Sequence, residues 1–162
     1  MDAVRRYIER YGMDGVVVIG GAAAYVWIKE YLGIEIPLHD IDVHITTSLT
    51  NRDIIQRWLY LLPRYRAVEP ISSITTLEPR DSRGHTTYDL FINEMPDMPY
   101  TVIDGLPVET LNEVIDDHVY TIEGLTSDID YARDSEELDW FLSKRSRMVY
   151  RLALLQTIPR ME

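Results

Sequence analysis

Residues 38–46, LHDIDVHIT, set acids at alternate positions: Asp40 and Asp42, with Ile41, Val43, His44 and Ile45 around them. In a strand, side chains i and i+2 point to the same face. Asp40, Asp42 and His44 therefore share one face, and Ile41, Val43 and Ile45 share the other. The apolar set belongs in a core, which leaves the two carboxylates on an open face, about 7 Å apart along the strand. Like charges at that separation raise each other's pKa unless a cation sits between them. Oxygen-only ligands of this kind suit Mg²⁺, held by one or two carboxylates together with substrate phosphates. The plainer reading is a solvated strand face. Strands are depleted in Asp, however, so two on one face of a short strand need a reason.

Upstream, Gly20-Gly21 closes the β-branched run Val16-Val17-Val18-Ile19 and opens a helical run, Ala22 to Leu32, ended by Gly33. Two glycines let the backbone turn tightly and come close to a ligand. The N-terminus of the following helix would aim free N–H groups at that turn, where a triphosphate could be held. A third group lies near the C-terminus. Lys144, Arg147 and Arg151, at i, i+3 and i+7, fall within one arc of a helix, bordering the apolar stripe Phe141, Met148, Leu152 and Leu155. They suit either salt bridging to surface acids or neutralisation of a triphosphate. His39, His44 and His85 raise a zinc reading, which lacks the helical His-x-x-x-His spacing; His44 shares the face of the two acids and could serve as ligand or donor. Tyr7, Tyr11, Tyr25, Trp27 and Tyr31 read as core and rim. No Gly-x-x-x-x-Gly-Lys phosphate loop is present, and no serine–histidine–aspartate ordering.

These groups need elements to hold them. The periodicities predict a helix over 2–11, a fully buried strand over 16–19, a helix over 22–32, a connector over 34–37 and the acidic strand over 38–46. Thr50 or Asn51 is the N-cap of a helix over 53–62 that Pro63 closes. Strands follow over 64–68 and 71–77, then a loop over 79–84 and a strand over 85–92 that would pair with 71–77 as an antiparallel hairpin. Residues 93–99 read as a loop, 100–103 as a strand, 104–105 as a turn, 110–117 as a helix and 119–122 as a strand. The acidic stretch 123–135 reads as a mobile loop, and 136–155 as the last helix.

One hundred and sixty-two residues fit a single domain, 1–162, with the last helix packed on it. There is no cysteine, which excludes disulfides, thiol catalysis and zinc–thiolate sites. No apolar run spans a membrane and the first residues lack the apolar stretch of a signal peptide, so a cytoplasmic location is expected. The net charge of −11 disfavours tight, nonspecific nucleic-acid binding. It does not exclude a nucleotide, whose phosphates metal ions can bring in.

A strand ending in Gly-Gly, a helix, and then an apolar-Asp-apolar-Asp-apolar strand resembles the signature of the polymerase-β-like nucleotidyltransferase fold. The closer likeness is to its small standalone members, the minimal nucleotidyltransferases and the abortive-infection nucleotidyltransferase toxins of toxin–antitoxin systems. The resemblance covers roughly residues 15–92 and, more weakly, the C-terminal helix. It departs from the family in the eighteen residues, 22–39, between Gly21 and Asp40, and in His39 before Asp40, where a small hydroxyl or basic residue would be expected. The resemblance implies an α/β (α+β) fold, a small mixed sheet with helices mainly on one side. It implies a third carboxylate on a neighbouring strand, which Asp89 in Thr86–Ile92 offers. Asp40, Asp42 and Asp89 would then be catalytic and metal-binding, holding two Mg²⁺ ions or Mn²⁺ in their place, with Asp89 favouring deprotonation of the attacking hydroxyl. Gly20, Gly21, Lys144, Arg147 and Arg151 would bind the nucleotide. The implied activity is transfer of a nucleoside monophosphate from an NTP, ATP included, to a hydroxyl on a protein, a tRNA or a small molecule. The chain is short for a second, acceptor-binding domain, so a homodimer or a protein partner would complete the cleft. The alternatives are a catalytically inactive binding or regulatory module of the same fold and a metal-dependent phosphohydrolase.

Overall fold

The computed structural model describes residues 1–68, 74–81, 86–93 and 98–160. The elements run α1 (Asp2–Tyr11), β1 (Val16–Ile19), α2 (Gly20–Leu32), β2 (Asp40–Ile45), α3 (Asn51–Leu61), β3 (Tyr65–Val68), β4 (Ile74–Pro79), β5 (Thr87–Ile92), β6 (Tyr100–Ile103), β7 (Leu106–Glu109), α4 (Leu111–Ile129) and α5 (Ser135–Leu155). The seven strands form one mixed sheet in the order β3-β4-β5-β2-β1-β7-β6. β2 runs parallel to β5, and β1 parallel to β7, while the other neighbours are antiparallel. With five helices among the described residues, the molecule is of the α+β class. No described helix is long and apolar enough to cross a membrane.

The alternation read in the sequence sets the sheet's two faces. Val16 and Val18 of β1, Ile41, Val43 and Ile45 of β2, and Tyr88, Leu90 and Ile92 of β5 pair across the strands on one face. All eight belong to the buried core. The helical layer covers them with Ala3, Val4 and Tyr7 of α1, Trp27 and Ile28 of α2, and Ile54 and Trp58 of α3. Tyr7 stacks on Trp58 at 4.8 Å, and Trp58 leans on Tyr88 at 5.7 Å. The opposite face carries Asp40, Asp42 and Asp89.

The helix 53–62 begins at Asn51, with Thr50 as its N-cap. Thr50 Oγ1 accepts the Asp53 N–H at 3.2 Å, and the Asp53 carboxylate accepts the Thr50 N–H at 3.3 Å, a reciprocal capping box. Helix α2 starts two residues earlier than expected, at Gly20, whose φ of 58° is left-handed. The expected strand 71–77 and strand 85–92 fall partly on residues 71–73 and 85, which lie outside the described residues, as does His85. The remainder pairs as the expected antiparallel hairpin, Thr76 opposite Asp89.

The C-terminal third differs from the expectation. Residues 119–122 are not a strand, and 123–129 are not a loop: α4 runs unbroken from Leu111 to Ile129, and α5 begins at Ser135. Leu111, Val114, Ile115, His118 and Leu125 are buried at helical spacing, and this period outweighs the strand preference of Val119-Tyr120-Thr121-Ile122. The acids of the stretch lie on the exposed side of the helix, Glu123 and Asp128 among them. Strand β7, Leu106–Glu109, occupies residues for which the sequence predicts no element; its four residues are all buried, and it pairs with β6 across the Asp104-Gly105 turn.

Replacing the capping hydroxyl tests this account of α3. Thr50→Ala should cost about 1 kcal/mol of unfolding free energy and leave the urea m-value unchanged, as read by chemical denaturation followed by circular dichroism. A loss near zero would mean that packing of Ile54 and Trp58 alone sets the start of the helix.

Candidate functional site

Strand order places the acids. β1 and β2 are antiparallel, with Ile19 opposite Asp42, so the end of β1 and its Gly20-Gly21 turn meet the start of the acidic strand. β2 and β5 are parallel and in register, with Asp42 opposite Asp89 and Asp40 opposite Thr87. One row across the sheet therefore reads Ile19, Asp42, Asp89, Thr76. Asp40, Asp42 and Asp89 each offer a carboxylate oxygen, and these oxygens lie within 4.8 Å of one another. The three expected acids thus converge. Thr76, which sequence reasoning passed over, donates from its hydroxyl to Asp89 Oδ1 at 2.6 Å and fixes that carboxylate's orientation. The signal for it was the hairpin register.

Asp40 and Asp42 open onto a cleft of about 350 Å³ lined also by Gly20 and Gly21 and by side chains of α4 and α5 that include Asp117, His118, Lys144 and Arg151; Asp89 stands beside Asp42 but is not part of that lining. Burial pushes the Asp42 carboxyl up to about 7; Asp40 and Asp89 push it the same way, and Lys144 and Arg151 act against them. Arg151 is itself 8% exposed, and its guanidinium donates to Pro37 O at 2.9 Å. It lies against Gly21, where an added Cβ would stand 2.6 Å from Nη1. A Cβ at Gly20 would stand 3.0 Å from Asp42 Oδ2. The two glycines are needed for different reasons, Gly20 for its backbone conformation and Gly21 for room.

The three cations of α5 part company. Lys144 and Arg151 line the cleft, with the Lys144 ammonium also 4.9 Å from the Trp140 ring centre. Arg147 donates to Ser143 Oγ at 3.0 Å and lines a separate shallow pocket beside Pro37. Among the histidines, His39 is exposed and His44 is fully buried, and neither joins the acid cluster. His118, which sequence reasoning missed, is fully buried in the cleft wall with Nδ1 on Val114 O at 2.8 Å, so the neutral ring carries its proton there. Burial holds its pKa below the ordinary value, and Nε2 has no hydrogen-bond partner among the described residues. The other missed group is Glu109, 2% exposed, which accepts the Gly20 N–H at 3.0 Å. Its position at the end of an unforeseen strand hid it.

A larger cavity, about 540 Å³, lies between α1, the outer side of α2 and the β6–β7 turn. Two ion pairs lie in it, Arg5 with Asp104 at 2.6 Å and Lys29 with Glu35 at 2.7 Å, Asp2 and Glu30 also line it, and it contains none of the acids Asp40, Asp42 and Asp89.

A scan against protein-family models gives no match for this chain, and no curated protein matches it.

Two substitutions test this geometry. The Asp42 pKa lies above that of the unfolded chain, so the folded state keeps a proton the unfolded chain releases. Its contribution to stability is therefore fully present at low pH and is lost as pH rises from about 4 to about 7. Buried His118, with its lowered pKa, acts in the opposite direction below about pH 6.5. The comparison with a variant isolates Asp42. Without metal, Asp42→Asn should be more stable than the parent by an amount that grows from pH 4 to 7 and then levels, reaching on the order of 2 kcal/mol in thermal melts. A variant that melts below the parent at pH 7 would assign Asp42 a structural partner. Gly21→Ala should cost about 1–3 kcal/mol, because the Arg151 head must move off its position. A neutral Gly21→Ala in the same melts would show that Arg151 is not held there.

Proposed function

We propose that this chain is a metal-dependent nucleotidyltransferase of the polymerase-β-like fold, moving a nucleoside monophosphate from an NTP to a hydroxyl acceptor. The observation that carries this reading is the convergence of Asp40, Asp42 and Asp89 to within 4.8 Å, next to the Gly20-Gly21 turn at the head of α2. The donor set fits a hard divalent cation: oxygen atoms only, three negative charges, and an Asp42 carboxyl whose charged form is disfavoured until a cation offsets it. The residues that would hold Mg²⁺ or Mn²⁺ are Asp40, Asp42 and Asp89, with Thr76 orienting the last. When bound, two such ions would stabilise charge on the transferring phosphoryl group and bring the attacking and leaving oxygens into line.

The chain's own residues account for the rest. Gly20 and Gly21 line the cleft at the head of α2; the Gly20 N–H is taken by Glu109, and the first-turn amides that follow it would suit phosphate oxygens. Lys144 and Arg151 place two positive charges on the opposite wall, where they would offset the triphosphate. Arg147 stands outside the cleft lining and is left out of nucleotide binding. In the reaction the acceptor hydroxyl loses its proton toward Asp89, the acceptor oxygen bonds to Pα, the Pα–O bond to the β-phosphate breaks, and pyrophosphate leaves. A protein side chain, a tRNA end and a small molecule are all compatible acceptors. The whole chain, 1–162, would act as one domain in the cytoplasm, with a second copy or another protein completing the acceptor side.

The test is labelled NTP with Mg²⁺ or Mn²⁺, offered to the protein itself, to bulk tRNA and to lysate. Label should move to an acceptor with the parent, and Asp40→Asn should slow it on the order of 10²-fold or more, since each 1.36 kcal/mol of lost transition-state stabilisation is about tenfold. Lys144→Ala should weaken NTP binding about tenfold or less with little change in turnover, because a single part-exposed cation contributes little beside the metals. Failure of the parent to bind NTP at millimolar concentration with either metal would overturn the enzyme and leave the non-enzymatic module.

A further inference from the structure

Glu109 is a buried carboxylate outside the acid cluster, and its contacts bear on the same turn. Helix α2 has no side-chain cap of its own: Ile19 precedes it, and its first turn holds no acid. Its leading amides would go unsatisfied on local sequence alone. Glu109 supplies the missing acceptor from the end of β7, taking the Gly20 N–H on Oε2 at 3.0 Å. Its own carbonyl accepts the Trp27 indole N–H at 2.8 Å, which ties the first and third turns of α2 to the same residue. Gly20 is thus held between two carboxylates from different strands: Glu109 on its amide, and Asp42 close to its Cα, 3.0 Å from an ideal Cβ.

We propose that Glu109 is a positioning residue for the cleft: by holding the Gly20 amide from outside the acid cluster, it sets the left-handed turn that aligns Asp42 and the α2 amides, without touching what the cleft binds. The inference rests on the nucleotidyl-transfer reading for what occupies the cleft, and on the Gly20 and Trp27 hydrogen bonds for the turn itself. A carboxylate spends most of its charge well on a helix N-terminus, where the peptide dipoles favour negative charge. The opposing influences are burial and the acids of α4. Burial pushes the Glu109 carboxyl up to about 7; Asp117 and Glu113 push it further, and the Gly20 N–H pulls it down. These are the charged and polar groups that face it from α2 and α4 among the described residues. Asp117 lies in the cleft lining, so the turn senses the cleft's charge through this pair.

Two measurements on the full chain test this. The first follows the Gly20 amide resonance in ¹H–¹⁵N spectra as pH is raised through 7 without metal. It should titrate with a midpoint near 7 in the parent, at lower pH in Asp117→Asn, where a repelling charge has gone, and with much smaller amplitude in Glu109→Gln, where only Asp42 remains beside Gly20. A Gly20 resonance that is static in the parent, or a titration of undiminished amplitude in Glu109→Gln, which would belong to Asp42, overturns the proposal. The second measures calorimetric binding of inorganic tripolyphosphate with Mn²⁺ well below the melting temperature. Glu109→Ala should weaken it about tenfold, the scale of one lost charge-assisted hydrogen bond, while Glu109→Gln, still an acceptor, should stay within about threefold of the parent. Equal affinity in a folded Glu109→Ala overturns the role in the cleft. If Glu109→Ala does not fold, the resonance and Glu109→Gln decide. Absence of binding by the parent would overturn the nucleotide reading, and the Gly20 resonance would then decide whether Glu109 holds the turn.

Discussion

The pairing register of β2 is the constraint on which the remaining structure depends. Its side chains alternate, so a slip of one residue would send Ile41, Val43 and Ile45 to the acid face and drive Asp40 and Asp42 into the core. Both costs are large: three buried aliphatic side chains exposed, at about 1.5–3 kcal/mol each, and charges placed among Trp58 and Leu90. The apolar face thus locks the register, and the locked register aligns Asp42 with Asp89 on one side and with Ile19 on the other. The acid cluster is a by-product of core packing on the far side of the same strand.

What the core sets in place, electrostatics opposes. Three carboxylates within 4.8 Å repel one another, and burial at Asp42 adds to the cost of its charge. The compensation comes from helix α5, which brings Lys144 and Arg151 to the opposite wall. Arg151 is the deeper of the two. Its position requires that Gly21 carry no side chain and that Pro37 present a carbonyl to its guanidinium. A buried arginine held by a backbone acceptor keeps a fixed place, which suits it to neutralise charge at one point. Lys144, with a flexible stem and an aromatic neighbour in Trp140, can follow a ligand.

On the β7 side of Gly20 a second carboxylate repeats the theme in another role. Glu109 is more deeply buried than Asp42, and burial pushes both carboxyls up to about 7, yet Glu109 faces a helix N-terminus instead of other acids of the sheet. The glycine between them is where local flexibility and distant anchoring meet. Its left-handed φ is available because it lacks a side chain, and it is fixed by a residue eighty-nine positions away.

Much of this was legible in the chain alone. Alternation in Asp40–Ile45 assigned the two faces of β2, the β-branched run ending in Gly-Gly marked the turn, and Thr50, one of two N-cap candidates, marked the start of α3, because period-two patterning and capping are local chemistry. The Thr87–Ile92 run likewise put Asp89 on a strand. Reading failed where a local preference met a longer-range one: Val119–Ile122 favours a strand by composition, but burial of Leu111, Val114, Ile115, His118 and Leu125 on one helical face carried α4 through to Ile129. Only the tertiary structure decided that Asp89 stands directly beside Asp42, that Arg151 turns inward while Arg147 does not, and that Glu109 caps a helix far from it in sequence. Each of these depends on which strands are neighbours and how helices pack on them. That choice is made by the sum of buried contacts across the whole chain, and no short stretch of sequence contains it.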